Sequence, residues 1–262
     1  MARIHMIMQG KGGATKTTTA AMIAQFLKDQ GKDPVCIDTD PVNASFHGYK
    51  ALNVKSLQIM SEGVINARAW DALVEQICRA KKDVVVDNGA TSFLSLLSYI
   101  EINTSLELFQ SFGQEVFIHI PIVGGESLGH CLSGMEQMVK GLSPQGPKFV
   151  VWLSPFLGPI EQGGKSFEEL PEYKACKKQI EAIIQFPNFT PPETYGRDLS
   201  YLLSNNITFA EALMMQDVPV EGGEEGETEK RSVHGFEIAV LQRISIAKKR
   251  VYTMLEASGI FV

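Results

Sequence analysis

The 262-residue sequence lacks any long hydrophobic run and uses cysteine sparingly. No stretch approaches the roughly 18 consecutive apolar residues of a membrane-spanning helix, which argues against that class of protein. The four cysteines lie far apart and form no C-x-x-C pair, so a reducing, cytoplasmic setting is expected. The first strand is predicted to follow Met1-Ala2-Arg3 directly, which leaves no room for a signal peptide.

The sequence also lacks a general excess of positive charge. Its formal net charge is −6, and residues 221–231 hold five Glu against one Lys and one Arg. The rest of the chain shows no basic footprint for nucleic acid, so direct DNA binding is not favoured. Because glycines and like charges cannot support a packed core, segment 221–231 is predicted to be a flexible acidic loop.

Hydrophobic residues make up 44% of the chain and charged residues 21%, which is typical of a globular protein with a sizeable core. Predicted strands alternate with predicted helices, the pattern of an α/β fold with a mostly parallel, doubly wound sheet and helices on both faces. His119, inside one of these strands, is expected to be a core histidine and not a catalytic one. We predict a single domain over 1–262, with strands at 3–8, 34–38, 83–87, 115–122, 148–154 and 182–186.

An apolar stripe at helical spacing predicts a C-terminal helix over about 236–257. Arg243, Lys248 and Arg250 flank the stripe. A basic amphipathic helix can bind a membrane surface, but a last helix docked on the sheet is the favoured interpretation.

Residues 9–18, which read QGKGGATKTT, directly follow an apolar run and are the most informative part of the sequence. A glycine-rich turn between a buried strand and a helix lets backbone N–H groups converge on a phosphate chain, and the helix N-terminus adds about half a positive charge. Lys16 is expected to reach the β- and γ-phosphates, and the Thr17 hydroxyl to bind Mg²⁺. The predicted nucleotide contacts are Gly10, Lys11, Gly12, Gly13, Ala14, Thr15, Lys16, Thr17 and Thr18.

The loop departs at one position from the standard pattern G-x-x-x-x-G-K-[ST]. Thr15 replaces the glycine before Lys16. If that position requires a positive φ, a β-branched residue is a poor occupant. We therefore expect Thr15 to affect loop geometry and rate more than phosphate binding.

Two further strands end in carboxylates, which the magnesium ion and the attacking water of phosphoryl transfer both need. The strand at 34–38 runs into D-T-D-P, and the strand at 83–87 ends in D-N-G. Ligands of open α/β sheets bind beyond the carboxyl ends of strands, where these motifs lie. Asp87 is expected to hold Mg²⁺ through its water shell, and Asp38 to support the environment of the metal. Gly89 would let its segment move as the γ-phosphate leaves.

From Lys11 onward the loop reads K-G-G-x-x-K-[ST], the deviant Walker A signature, and the chain resembles the ParA/MinD family of ATPases. The resemblance implies a P-loop NTPase that binds ATP and Mg²⁺ and hydrolyses ATP to ADP and phosphate, slowly without a partner. It implies that Lys11 crosses a dimer interface to the phosphates of the second subunit. It also implies that Asp40, the second Asp of the D-x-D-P switch I motif, orients the attacking water. The catalytic residues are then Lys11, Lys16 and Asp40, and the metal residues Thr17, Asp38 and Asp87.

Later blocks narrow the resemblance to ParA/MinD-like proteins encoded in plasmid conjugal-transfer regions. They include G-P-I-E at 158–161, G-K-S-F-E at 164–168 and E-T-Y-G-R-D at 193–198. They imply a nucleotide-dependent homodimer that works with conjugal-transfer proteins. One departure is Ser154, at a strand end where many relatives read adenine with Asn. A hydroxyl cannot present the paired donor and acceptor of an amide, so base selectivity is less securely predicted than phosphate binding.

Two alternatives stay open. A plasmid-partition ATPase would bind DNA non-specifically and needs a basic surface that this sequence does not show. A nucleotide-binding module with negligible hydrolysis would follow if Thr15 distorts the loop. An iron–sulfur reductase of the same superfamily is disfavoured because no Cys closely follows Asp87.

Overall fold

A computed structural model describes residues 1–188, 192–219 and 228–261. In chain order the strands of these residues are β1 (Arg3–Ile7), β2 (Val35–Asp38), β3 (Lys55–Ser56), β4 (Met60–Ser61), β5 (Val64–Ile65), β6 (Val84–Asp87), β7 (Glu115–Val123), β8 (Lys148–Ser154), β9 (Glu161–Gln162), β10 (Lys165–Ser166), β11 (Ile180–Gln185), β12 (Met215–Pro219) and β13 (Thr228–Ser232). The α-helices are α1 (Lys16–Asp29), α2 (Ala69–Cys78), α3 (Phe93–Ile102), α4 (Ser105–Ser111), α5 (Leu128–Leu142), α6 (Pro171–Cys176), α7 (Arg197–Ser204), α8 (Phe209–Ala212) and α9 (Ile238–Ala257).

Seven strands form one sheet in the order β11-β8-β7-β1-β6-β2-β3, and every neighbouring pair in it is parallel. β1 lies in the middle, between β6 and β7. The chain runs from β1 to β2 on one side and later crosses to β7 on the other, so the strand order reverses at the carboxyl end of β1. Ligands of open α/β sheets bind at this switch point. The predicted α/β class with a parallel sheet is confirmed.

Both faces of the sheet are covered, as is usual for parallel strands. Along β1, Ile4 and Met6 point into the larger core, which they share with buried residues of α2, α3, α4 and α5. His5 points to the opposite face, where its ring stacks on Phe261, and Phe261 in turn contacts Phe26 of α1. Alternate residues of one strand thus bury against different helices, as the two-residue period of a strand dictates.

The six predicted strands correspond to β1, β2, β6, β7, β8 and β11, with ends that differ by at most two residues. The first helix begins at Lys16 and ends before Gly31, whose φ is +76°. β3 was missed because its two residues, Lys55 and Ser56, are exposed and too few to show a strand period. Apolar patterning therefore located the buried strands but not this short edge strand.

The chain divides into two compact units, one formed by Met1–Phe186 with Met254–Val262 and the other by Pro187–Thr253. The first unit contains the seven-stranded sheet. The second contains α7, α8 and the antiparallel pair of β12 and β13, and in it Arg243 Nε donates to Asp198 Oδ2. Whether the two units form the single domain over 1–262 that the sequence predicts is not tested, and the single domain stays a prediction.

The predicted acidic loop at 221–231 lies largely outside the described residues, which omit 220–227. Its last residues, 228–231, are not a loop, because they belong to β13 and pair with β12. Antiparallel pairing satisfies their backbone groups while their side chains stay exposed. A charged segment can therefore form a strand without supporting a core.

α9 occupies the stretch in which a C-terminal helix is predicted. Four residues of its apolar stripe are buried, namely Ile244, Ala247, Val251 and Leu255. Among the helices of the described residues, none has the length and apolar character needed to cross a bilayer.

Candidate nucleotide site

The glycine-rich loop leaves the carboxyl end of β1 at the switch point of the sheet and leads into α1. The first turn of α1 contains no acidic residue, so no side chain of that turn neutralises the partial positive charge of the helix N-terminus. The loop lines a cleft of about 480 Å³, which we call the loop cleft. The cleft is lined by Gly12, Gly13, Ala14, Thr15, Lys16, Thr17, Thr18, Asp40, Asn43, Ser45, Asp87, Asn88 and Ala90.

Lys16 is 9% exposed, and its Nζ donates a hydrogen bond to the backbone oxygen of Lys11 at 3.2 Å. Burial lowers the pKa of Lys16, and the Asp87 and Asp40 carboxylates oppose this shift. A desolvated ammonium at a helix N-terminus favours an anion, because the anion replaces the hydration that the cation has lost. The position of Lys16 therefore suits a phosphate chain in the loop cleft.

Asp87 ends β6 beside the loop, and the Thr17 hydroxyl donates to its Oδ2 at 2.6 Å. Its other oxygen, Oδ1, is buried and has no hydrogen-bond partner. Burial raises the pKa of Asp87 to about 7, although the hydrogen bond from Thr17 and the charge of Lys16 act in the opposite direction. An unpartnered carboxylate oxygen beside a hydroxyl is an incomplete hydrogen-bonding arrangement that a hard cation would complete.

The donor set of Thr17 and Asp87 fits Mg²⁺, which prefers oxygen ligands and usually keeps several waters. Within the described part of the chain, no group of three or more His, Cys, Asp or Glu side chains could hold a metal ion by itself. The remaining ligands would therefore be water and phosphate oxygens, as is usual for Mg²⁺ in nucleotide sites.

Asp38 is the register partner of Asp87 on the neighbouring strand, yet it is fully buried and does not line the loop cleft. Its two oxygens accept hydrogen bonds from the backbone N–H groups of Asp40 and His47, both at 2.9 Å. Burial raises the pKa of Asp38, and these hydrogen bonds oppose the shift. The carboxylate thus organises the segment that follows β2, and its part in the metal environment stays a prediction.

Asp40 lines the loop cleft, and its Oδ1 accepts hydrogen bonds from the backbone N–H groups of Val42 and Asn43 at 2.9 and 3.1 Å. This turn around its own side chain fixes one oxygen of Asp40. Gly89 lies against Asp40, because a β-carbon built on Gly89 would stand 2.6 Å from the Asp40 Cγ. The two segments that follow β2 and β6 can approach this closely only because position 89 is a glycine.

Asn88, Thr39 and Ser92 form a buried polar network that the sequence interpretation missed. The Thr39 N–H and hydroxyl both donate to the backbone oxygen of Asp87, at 2.9 and 3.1 Å. Asn88 Nδ2 donates to Thr39 Oγ1 at 3.2 Å and to Ser92 Oγ at 3.1 Å. All three side chains are fully buried. The available signal was a polar residue directly after each of the strand-end carboxylates Asp38 and Asp87.

Lys11 does not line the loop cleft. It lines a neighbouring cleft of about 350 Å³ between the start of the loop, the start of α3 and one side of α5. Lys11 and Lys16, predicted together as catalytic, therefore border different spaces in one chain. The other residues of this neighbouring cleft are Gln9, Gly10, Ala90, Phe93, Leu94, His130, Ser133, Gly134 and Gln137.

Thr15 adopts the left-handed conformation, with φ 56° and ψ 21°. The position thus requires the positive φ that the standard loop glycine supplies. The Thr15 hydroxyl is also buried without a hydrogen-bond partner. A non-glycine residue held in this region costs about 1–3 kcal/mol, so the loop carries local strain beside Lys16.

Ser154 ends β8, where it is fully buried and its hydroxyl has no hydrogen-bond partner. It lines neither of the two clefts. The described site therefore brings together the loop, Asp40 and Asp87, and it leaves Ser154 apart from them.

The fold and the loop cleft together define a P-loop nucleotide-binding protein. Residues 5–215 match the family profile of the CobQ/CobB/MinD/ParA nucleotide binding domain. The chain belongs to this family, and the ParA/MinD resemblance read from the loop is confirmed.

Among curated relatives, two Escherichia coli proteins called Protein TraL are each 44% identical over 260 residues, which covers 99% of this chain and 100% of the relative. Among solved structures, a candidate plasmid partition protein of Borrelia burgdorferi B31 bound to AMPPNP shares 13% identity with a TM-score of 0.49. That alignment covers 98% of this chain and 99% of the other.

Proposed function

We propose that this protein is a Mg²⁺-dependent ATPase of the ParA/MinD type, that its ATP-bound form is a homodimer, and that it acts in plasmid conjugal transfer. The observation that carries the ATPase proposal is the convergence of Lys16, Thr17, Asp40 and Asp87 on one cleft at the switch point. Phosphoryl transfer needs mainly positioning and charge neutralisation, and these four groups can supply both.

In this proposal the loop N–H groups and Lys16 bind the phosphate chain. Lys16 exchanges its hydrogen bond to the Lys11 carbonyl for phosphate oxygens, which satisfy a buried ammonium better than one neutral acceptor does. Thr17 and Asp87 would hold Mg²⁺, which neutralises phosphate charge when bound. Asp40 accepts a hydrogen bond from the attacking water and so orients that water toward the γ-phosphate.

The dimer proposal is supported by the position of Lys11. Lys11 borders the cleft next to the loop cleft and does not line the loop cleft, although its backbone oxygen accepts from Lys16 Nζ. A lysine in this place suits contact with the nucleotide of a second subunit. The exposed side of the loop, at Gly10, Gly12 and Gly13, would then face that subunit.

The conjugal setting is supported by two observations. Several sequence blocks resemble proteins encoded in transfer regions, and the chain is 44% identical to the two TraL proteins over 260 residues. The partners would accordingly be other transfer proteins.

A second candidate function is a nucleotide-binding module with negligible hydrolysis. The observation that favours it is the strained conformation of Thr15, next to the lysine that must align the γ-phosphate. Tight ATP binding without turnover above background would support this candidate against the first.

The test combines ATP turnover with size-exclusion chromatography, with and without Mg²⁺ and candidate transfer proteins. We expect Lys16→Ala to abolish turnover and weaken ATP binding, and Asp40→Ala to keep ATP binding and trap the dimer. Lys28→Ala, at the far end of α1, is the matched control and should behave like the wild type. Wild-type turnover in Lys16→Ala, or a monomer with bound ATP in Asp40→Ala, would contradict the proposal.

A further inference from the structure

A buried hydrogen-bonded cluster joins the segment after β2 to the segment after β6. We propose that Asn88, Thr39 and Ser92, which we call the amide latch, are positioning residues that hold Asp40 in place relative to Asp87 and make the two segments move together. This inference rests on the proposed function, since it concerns the same cleft.

The first half of the latch fixes the segment after β2. Thr39 stands between Asp38 and Asp40, and its hydroxyl donates its single hydrogen to the Asp87 backbone oxygen at 3.1 Å. The oxygen of that hydroxyl is therefore left to accept from Asn88 Nδ2, at 3.2 Å. Since Thr39 directly precedes Asp40, the place of Asp40 is set by backbone and side-chain groups of the neighbouring segment.

The second half of the latch extends to α3. The other Nδ2 hydrogen of Asn88 is donated to Ser92 Oγ at 3.1 Å, and Ser92 directly precedes α3. The Ser92 hydroxyl has acceptors in the backbone oxygens of Gly89 and Thr39, at 3.2 and 3.4 Å. Both amide hydrogens of Asn88 are thus used, and each ties a different segment to one side chain.

The latch is not what a purely structural core would contain. Asn88 Oδ1 is buried without a partner, and an unsatisfied buried acceptor costs free energy that an apolar residue of similar size would not. Asn88 also forms part of the wall of the loop cleft. An amide retained here at a cost, between two segments packed closely at Gly89 and Asp40, fits a role in positioning.

Without the Asn88 amide, Thr39 keeps its bonds to Asp87 and the Ser92 hydroxyl keeps an acceptor in the Thr39 backbone oxygen, but the link from Thr39 Oγ1 through Asn88 to Ser92 Oγ is lost. Ser92 and Thr39 line neither cleft, and their variants leave the loop, Lys16 and Thr17 untouched, so ATP should bind to Ser92→Ala and Thr39→Val within about twofold of the wild type. A small displacement of a group that orients a reactant can lower the rate by about 10- to 100-fold, so we expect a loss of that size in kcat.

The test uses Asn88→Ala, Thr39→Val and Ser92→Ala. Ser95→Ala is the matched control, because Ser95 lies in the first turn of α3, close to Ser92 in the chain, and its hydroxyl accepts from Trp70 Nε1 at 3.1 Å, outside the latch. Hydrogen exchange is measured first without nucleotide. Ser92→Ala should raise the hydrogen-exchange rate of the backbone amides over residues 40–48 at least threefold, although these residues lie on the other side of the latch. Ser95→Ala should leave that rate unchanged. kcat and the ATP dissociation constant are then measured separately.

Faster exchange over 40–48 in Ser92→Ala and Thr39→Val, with kcat reduced and ATP affinity kept, would support the latch. Wild-type exchange over 40–48 in both variants would overturn it, and so would wild-type kcat in Asn88→Ala. If Asn88→Ala does not fold, the two hydroxyl variants decide the question. If the wild type shows no turnover, the proposed function fails, and exchange without nucleotide still judges the latch.

Discussion

Gly89 and Asp40 approach each other so closely that a β-carbon on Gly89 would stand 2.9 Å from the Asp40 α-carbon. The contact involves backbone as well as side chain, so rotation of Asp40 cannot relieve it. It places Asp40, in the segment after β2, directly against the residue that follows Asp87 and Asn88. The geometry of the loop cleft therefore depends on the absence of a side chain at position 89.

We expect Gly89→Ala to push Asp40 away from the cleft. Overpacking of this kind costs about 1–3 kcal/mol of unfolding free energy, and a misplaced Asp40 should lower ATP turnover at least tenfold. Urea denaturation and steady-state turnover measure the two effects. Gly129→Ala is the control, because a β-carbon there meets nothing within 4 Å on helix α5; it should be neutral or slightly stabilising. Unchanged turnover in Gly89→Ala would show that the contact is not needed.

We expect Thr15→Gly to stabilise the protein by about 1 kcal/mol. Glycine removes the left-handed strain and the unpartnered hydroxyl, and these gains exceed its larger entropy loss on folding. Chemical denaturation measures the change. Thr104→Gly is a matched comparison, because Thr104 also has a positive φ, 46°, before a helix but is exposed; its gain should be smaller. A loss of stability in Thr15→Gly would mean that the Thr15 side chain anchors the loop.

We expect Lys11→Ala to separate dimerisation from ATP binding. Lys11 borders the neighbouring cleft, while Lys16 lines the loop cleft, so the Lys11 variant should bind ATP within a few-fold of the wild type. It should remain monomeric with ATP and Mg²⁺ in light-scattering measurements at concentrations that dimerise the wild type. Loss of ATP binding as severe as in Lys16→Ala would instead place Lys11 on the nucleotide of its own chain.

Apolar patterning in the sequence located the buried strands and the two carboxylates that end them. Because a parallel sheet brings the carboxyl ends of its strands to one edge, the patterning also predicted that these carboxylates lie near the loop. It could not show that both Asp38 oxygens accept backbone N–H groups, since this depends on how the segment up to His47 folds back. The bonds of Asn88 to Thr39 and Ser92 were also hidden, because they join residues up to 49 positions apart. Whether position 15 requires a positive φ could not be read from the sequence, and the observed φ of 56° shows that it does.

On the face of the sheet toward Phe261, hydrogen bonds between three aromatic rings determine the tautomers of two neutral histidines, His5 and His119. Trp152 Nε1 donates to His119 Nδ1 at 2.9 Å, so His119 carries its hydrogen on Nε2 and donates to His5 Nδ1 at 3.0 Å. His5 then carries its hydrogen on Nε2, which is buried without a partner. This agrees with the prediction that His119 is a core residue. Burial lowers the pKa of His119 to about 3, and burial with the proximity of His119 lowers the pKa of His5 well below its usual value.

These lowered pKa values make stability depend on pH. Below about pH 6.5 the unfolded chain binds protons at both histidines and the folded chain does not, so the unfolding free energy falls as pH falls, by about 1.4 kcal/mol per pH unit for each histidine. The pKa of Asp87 is raised to about 7, so proton binding at Asp87 raises the unfolding free energy as pH falls and opposes the effect of the histidines. The contribution of one histidine is therefore measured by comparing a variant with the wild type.

Glutamine at position 119 can accept from Trp152 and donate to His5 without titrating. We therefore expect His119→Gln to reduce the loss of stability in urea denaturation between pH 6 and 5 by about 1.4 kcal/mol relative to the wild type. Equal pH dependence in the two proteins would show that His119 titrates alike in the folded and unfolded chains.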